Sequence, residues 1–427
     1  MFNSNTAYSF NRRHLMACAA KSLLGVTCLE LAQHSNTEAA SETASGKAKH
    51  VIYLYMNGGM SHLDTFDPKP GTDSQGETGV TQTRIPSVSI SDKLPRLAYL
   101  SNELAIVRSL TTETGAHEQG KYLMHTSYKV LNSIRHPGLG AWASHVLGKD
   151  NKNLPTNVLV GSAAGHPGAG FLPAALAPVP ISNAAKGLEN TQTPTYLQDG
   201  QFERRLGLAR QFDASFRADY DSLLIDAYDQ TYREATRLMN SADLKAFDIA
   251  SEPENVREFY GDNAFGQGCL LARRLVEAGV RFIEVEFGGW DHHQDIFQKC
   301  PEMTANLDTA CGALIRDLQS KGMLKEVLVV IATEFGRTPK VNENAGRDHH
   351  PAVFSGVLCG AGIRGGQVYG QSDASGTSVE ESPVYPEDFN ATIAAAMGLP
   401  IQQEFFAPNN RPFRICNNGE PIRELLS

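Results

Sequence analysis

The chain has 427 residues, 41% hydrophobic and 20% charged, the balance of an ordinary globular protein with room for one large α/β domain or two smaller ones. Its formal net charge of −9 argues against nucleic acid or an anionic membrane as the main partner. No charge-free apolar run reaches ~18 residues, so no stable membrane span is expected.

The first 45 residues read as an export signal rather than part of the fold. Arg12-Arg13 precede a modest apolar stretch, Leu15 to Leu31, and then a polar, alanine-containing segment with plausible cuts near Ala40 or Ala44. This is the layout of a twin-arginine signal, and it implies contact with the Tat machinery and a periplasmic or extracellular destination. The competing reading is a plain basic terminus. Cys18 and Cys28 would leave with the signal; the remaining five cysteines, without a CxxC pair, argue against a disulfide framework or a cysteine zinc site.

From residue 46 to 427 the pattern is that of a single domain. His50 to Met56 is a continuous apolar run that ends in Asn57-Gly58-Gly59, as a buried parallel strand opening into a glycine loop would. Gly71 to Thr83 reads as an exposed loop, Leu104 to Leu110 and Asn157 to Val160 as strands, and 161–195 as a long surface excursion. Leu223, Ala227, Tyr232 and Leu238 carry helical spacing within 203–247. Next come a helix from Phe265 to Ala278 and a strand from Val280 to Phe287. Met303, Leu307, Cys311, Leu314 and Leu318 recur at three and four residues and predict an amphipathic helix ending at Gly322. Strands at Val327 to Ala332 and Val353 to Cys359, then a helix from Asp388 to Met397, complete the series. This alternation predicts a mostly parallel sheet flanked by helices, with ligands bound beyond the carboxyl ends of its strands.

Three acid- and histidine-rich motifs follow or trail these strands: Gly288-Gly289-Trp290-Asp291-His292-His293, Thr333-Glu334-Phe335-Gly336-Arg337 and Gly346-Arg347-Asp348-His349-His350. Carboxylates and imidazoles gathered at one sheet edge are the donors of a divalent-metal site. Asp291 and His293, two positions apart, can converge on one ion, against the plainer alternative of a solvated turn that caps the next helix. One of His349 and His350 is a candidate ligand and the other a neighbour that orients it. Glu334 is either a ligand or general base, or the ion-pair partner of Arg337. Arg337 and Arg347 offer forked donors suited to phosphate or sulfate oxygens. Asn57 and His62 belong to the cluster after the first strand and are candidate substrate contacts. His117 opens a helix after the second strand, where an anion can be held, or is simply structural.

The segment from Met56 to Lys69, the Asp291 loop, Thr333 to Pro339 and Gly346 to His350, in this order, resemble the DUF1501 family of exported bacterial proteins. That family looks like a sulfatase-like branch of the alkaline phosphatase superfamily. The resemblance covers nearly all of the chain after the signal, and implies a three-layer α/β/α sandwich of alkaline phosphatase type with a metal-dependent site for anionic esters. Residue by residue, Asp291, His293 and His349 match one metal position of that superfamily. The places of the second position and of the nucleophile hold Asn57, His117, Glu334 and Phe335. No Ser, Thr or CxPxR cysteine stands where the superfamily's covalent intermediate forms.

The expectation is therefore an exported hydrolase of phosphate or sulfate esters, among them sulfated or phosphorylated glycans. It would hold one divalent metal, with zinc ahead of calcium, magnesium and manganese, on Asp291, His293, His349 and Glu334. Metal-activated water would replace the missing nucleophile. Glu334 would complete the shell or act as base, Arg337 or Arg347 would hold the ester, and His117 would protonate the leaving oxygen or, as the lesser alternative, accept the transferred group. The alternative is a non-catalytic binding or assembly protein on a degenerate scaffold.

Overall fold

The eight-residue run from His50 to Asn57, β1, lies at the centre of the sheet and explains why its sequence does not alternate. Ile52, Leu54 and Met56 point into one hydrophobic layer, and Val51, Tyr53 and Tyr55 into the other, so both faces demand apolar side chains. The computed structural model describes residues 47–189, 191, 196, 198, 200–219 and 233–427. The twin-arginine segment, Cys18 and Cys28, and positions Leu223, Ala227 and Tyr232 lie outside the described residues.

The remaining strands of the main sheet are β2 (Leu104–Leu110), β3 (Asn157–Val160), β4 (Val179–Ile181), β5 (Phe282–Gly288), β6 (Val327–Ala332), β7 (Phe354–Gly360) and β8 (Gln367–Tyr369). Their spatial order is β8-β2-β7-β6-β1-β5-β3-β4. β1 runs parallel to β5 and β6, β3 to β4 and β5, and β8 to β2; β7 is antiparallel to both its neighbours. Five helices matter to the site and the core: α1 (His117–Thr126), α2 (Leu139–Leu147), α3 (Ala264–Glu277), α4 (Ile296–Ser320) and α5 (Pro386–Ala396). Leu271 and Leu275 of α3 and Leu307 and Leu314 of α4 cover the Ile52 face. Met124, Trp142 and Phe389, from α1, α2 and α5, cover the Tyr53 face. The result is a three-layer α/β/α sandwich built on a mostly parallel sheet, in one unit from Gly46 to Ser427. Among the described residues no helix is long and apolar enough to cross a membrane. The five described cysteines are free and buried.

The long buried elements lie where the sequence pattern puts them, and the short ones emerge only here. β4, inside the expected surface excursion, is a three-residue edge strand containing Pro180. Proline tolerates an edge because no ladder bond is asked of its nitrogen, and three residues carry no readable period. β7 reads as one more apolar strand, with nothing in its composition to reveal that it runs against the others.

Two buried imidazoles make the fold pH-sensitive. The His136 ring accepts the Tyr122 hydroxyl proton at Nδ1 (2.9 Å) and stacks on Tyr128 at 4.2 Å. His62 Nε2 donates to the Gly376 carbonyl (3.0 Å). Burial pushes each down to about 4 from an ordinary 6.5. Below pH 6.5 the unfolded chain takes up protons that the fold refuses until about pH 4, so stability falls as pH drops through this window. Urea melts from pH 7 to 4.5 should show that decline, and His136→Phe should flatten it; an unchanged slope in the variant would exclude this ring as a cause.

Candidate metal centre

β1, β5 and β6 run parallel, so Asn57, Gly288 and Ala332 end at the same edge, and the loops beyond them meet. Gly58 makes that meeting possible. Its φ is +119°, and a Cβ there would stand 2.7 Å from the Asp291 amide nitrogen and 2.9 Å from that of Trp290. Only glycine combines this dihedral with so close a backbone approach. Trp290, buried against Phe287 with centroids 5.6 Å apart, pins the loop and turns Asp291 outward. The third motif folds back as a two-residue ladder in which His349 pairs with Arg337 and His350 with Gly336. His117 arrives as the first residue of α1.

Four side chains converge. Asp291 Oδ1 lies 3.1 Å from His293 Nε2 and 3.2 Å from His349 Nε2, and Asp291 Oδ2 lies 3.3 Å from His117 Nε2. The two Nε2 atoms of His293 and His349 are themselves 2.9 Å apart. Each ring spends its other nitrogen on an acceptor: His117 Nδ1 donates to Glu334 Oε1 (2.9 Å), His293 Nδ1 to Asp348 Oδ1 (2.8 Å) and His349 Nδ1 to the Gly115 carbonyl (2.6 Å). With the Nδ1 protons so committed, three Nε2 lone pairs face one carboxylate, and only a proton or a cation between them relieves the repulsion. Ligands held at ~2 Å around a tetrahedral ion lie ~3.3 Å apart, close to the spacings from Asp291 to each ring, and donor atoms of His117, Asp291 and His349 all lie within 4.8 Å of one another. The donor set fits a zinc-class divalent ion, and the backing of each imidazole by an oxygen acceptor is the support that metal-bound histidines use.

The electrostatics agree. Burial alone would raise Asp291, but the hydrogen bond and charge of Arg337 outweigh it and hold the carboxyl down to about 2. Burial opposes ionisation of Glu334 as well, yet the bonds from His117 and the Gly58 amide (2.8 Å) keep it below its ordinary range. The Tyr55 hydroxyl also donates to Glu334, at 3.0 Å. His117 is raised by its bond to Glu334 against the opposing effect of burial.

The expected site residues divide clearly. Asp291, His293 and His349 come together, and His117 joins them. Glu334 is fully buried behind His117. His350 turns away and donates to the Thr377 carbonyl (2.6 Å). Arg337 and Arg347, expected to hold an anionic ester, are instead sealed inside the fold. Arg337 donates to the carbonyls of Gly58, Gly59 and Arg347 and to Asp291 Oδ1 (2.6 Å). Arg347 pairs with Asp64 (2.9 Å) and donates to the carbonyls of Ser74, Thr338 and Pro339. Their donors are consumed in fastening loops. Asn57 donates to Glu286 (2.6 Å), which also pairs with Lys121 (3.2 Å), and His62 is buried on Gly376. Sequence reasoning passed over Asp348 as the support of His293. It also passed over Glu284 and Glu286, although two acids within a buried apolar strand are a visible signal of a polar partner. Beside Asp291 and His293 opens a cleft of about 620 Å³, whose walls include Gly288, Gln294, Lys299, Glu302 and Asn306.

A parallel-sheet sandwich that carries three imidazoles and a carboxylate at the carboxyl edge of its strands is a scaffold with a candidate metal centre. The chain belongs to the family described as "Protein of unknown function (DUF1501)", matched over residues 48–426. No curated protein matches it. Among solved structures it is similar to the PsFucS1 sulfatase from Pseudoalteromonas sp., at 13% identity, covering 92% of this chain and 76% of that one, with a TM-score of 0.42. It is also similar to the lipoteichoic acid synthase LtaP from Listeria monocytogenes (10% identity, 90% and 78% coverage, TM-score 0.40). A third is a protein in the alkaline phosphatase superfamily from Vibrio parahaemolyticus (9% identity, 90% and 72% coverage, TM-score 0.39).

Proposed function

We propose that this chain is an exported, metal-dependent hydrolase of phosphate or sulfate esters that holds one divalent cation, zinc foremost, on His117, Asp291, His293 and His349. The observation that carries the reading is the convergence of three Nε2 atoms on Asp291, each ring backed by an acceptor at Nδ1. When bound, a divalent cation supplies Lewis acidity toward an ester oxygen and a lowered pKa for water. The chain's own residues orient and exclude. Glu334 fixes the His117 tautomer, Asp348 that of His293, and Arg337 holds Asp291 Oδ1 toward the rings. His117 thereby moves from the proton donor expected from sequence to a ligand, and Glu334 from ligand to the group that positions it. The adjacent cleft gives an ester access from solvent, and Lys299 on its wall takes the anion-recognising part that the buried arginines cannot. Export rests on Arg12-Arg13 and the apolar stretch after them.

A second reading has its own support. The Asn57 amide is bound to Glu286, and the Phe335 ring packs 5.0 Å from His117 and 4.7 Å from His349. By the resemblance, Asn57 and Phe335 stand where a two-metal centre would need ligands, and neither supplies one. A binding or assembly role fits such a centre too. Elemental analysis of protein purified without added metal or affinity nickel, with a panel of aryl phosphates and sulfates, separates the two. At least one zinc per chain with turnover on at least one ester is expected, and Glu334→Gln should weaken metal affinity at the rim ~10–100-fold. Metal without turnover on any ester would favour the binding role, and no metal at all would refute the hydrolase.

A further inference from the structure

Beneath the rim, β1 and β5 place Tyr53 opposite Glu284 and Tyr55 opposite Glu286. Glu286 is neutralised by Lys121. Glu284 has no lysine or arginine partner among the contacts the structure gives it. Its oxygens face two imidazoles instead, His125 Nε2 at 3.0 Å and His166 Nε2 at 3.2 Å. The three side chains are 4 to 9% exposed and come from α1, β5 and the loop after β3. The donor atoms lie within 4.8 Å of one another. From Glu284 to Gly288 the strand climbs ~13 Å, so this cluster lies well below Asp291 and shares no residue with the centre there.

The protons do not close by themselves. His125 Nδ1 faces the Lys121 carbonyl at 2.7 Å and must carry hydrogen, so a neutral ring aims its Nε2 lone pair at a carboxylate oxygen. Either a second proton or a cation belongs between them. A buried imidazolium–carboxylate pair bears a heavy desolvation cost, and it would leave another group unsatisfied. The Tyr53 hydroxyl is buried without any hydrogen-bond partner, and Tyr53 lines a small cavity of about 10 Å³ together with His125, His166 and Glu284. That is room for roughly one small occupant.

We propose that His125, His166 and Glu284 form an internal divalent-cation site, with the Tyr53 hydroxyl as the fourth contact, directly or through one water. Two imidazoles and a carboxylate select a zinc-class ion, and enclosure gives it a structural role, tying α1 and the loop after β3 to the sheet. Binding has one local consequence. His166 Nδ1 accepts from the Gly168 amide at 3.0 Å, which keeps the ring proton on Nε2; coordination shifts that proton to Nδ1 and releases the Gly168 contact. Gly165 and Gly168, at φ +73° and +67°, give the loop the freedom to follow.

The test is zinc titration of the chelator-stripped full chain, as wild type, Asp291→Ala, and Asp291→Ala combined with His166→Asn, alongside hydrogen exchange. Asp291→Ala should keep about one equivalent of zinc, and the double variant should keep none. Zinc should change the protection of residues 162–168 in the wild type and in the single variant, and leave it unchanged in the double variant. If Asp291→Ala binds no zinc, or if adding His166→Asn leaves binding unchanged, the internal site is refuted. Should the double variant fail to fold, Asp291→Ala combined with Tyr53→Phe serves: weaker zinc binding supports the site and unchanged binding refutes it. Failure of the rim centre gives a different result, identical stoichiometry in wild type and Asp291→Ala.

Discussion

Asp291→Ala is expected to lose the rim cation and all ester turnover while remaining folded. Asp291 is the one group that every other member of the centre touches: three imidazoles and the Arg337 guanidinium. Removing it takes away the only negative charge that faces all three rings. Outer-shell losses already cost ~10–100-fold in metal affinity, so loss of a direct ligand should exceed that range. The fold should survive, because the Asp291 side chain is 45% exposed and Arg337 keeps its bonds to three backbone carbonyls. Circular dichroism, a urea melt and ester turnover on one preparation decide the matter. A folded variant with wild-type turnover would refute the assignment of the site.

Arg347→Ala should have the opposite signature, a large loss of stability. The guanidinium is fully buried, and its partner Asp64 nearly so. Breaking such a pair leaves an uncompensated buried carboxylate and typically costs about 3–5 kcal/mol. The same side chain ties the segments around Ser74, Thr338 and Pro339 together through their carbonyls. Lysine should rescue poorly, since one ammonium cannot span the fork. Urea denaturation measures the effect. A loss below ~1 kcal/mol would mean that the pair does not hold these loops.

The two arginines show where the sequence was open to misreading. A forked cation in a loop next to acids and histidines has the composition of an anion site and of a buried clamp alike. Burial separates the two, and burial depends on how 58–64, 74 and 336–347 pack in three dimensions. His117 shows the same limit from the other side. One histidine at a helix start gives no sign that it will meet Asp291, 174 positions away in the numbering of the chain. The parallel sheet, by carrying β2, β5 and β6 to one edge, makes that meeting. Asp291, His293 and His349 were readable because each stands next to a strand end or a glycine turn in a dense polar motif.

What the sequence determined by itself is the set of long elements and the edge at which chemistry gathers. Runs such as His50 to Met56 and Val327 to Ala332 are apolar on both faces, and that pattern is local and survives without knowledge of neighbours. Tertiary structure alone decided strand order, the reversed β7, the sealing of Arg337 and Arg347, and the placing of His117, His125 and His166 on carboxylates far along the chain. Those outcomes depend on which side chains are deprived of water and which acceptor each imidazole proton meets. Both are settled by packing between segments that carry no record of each other.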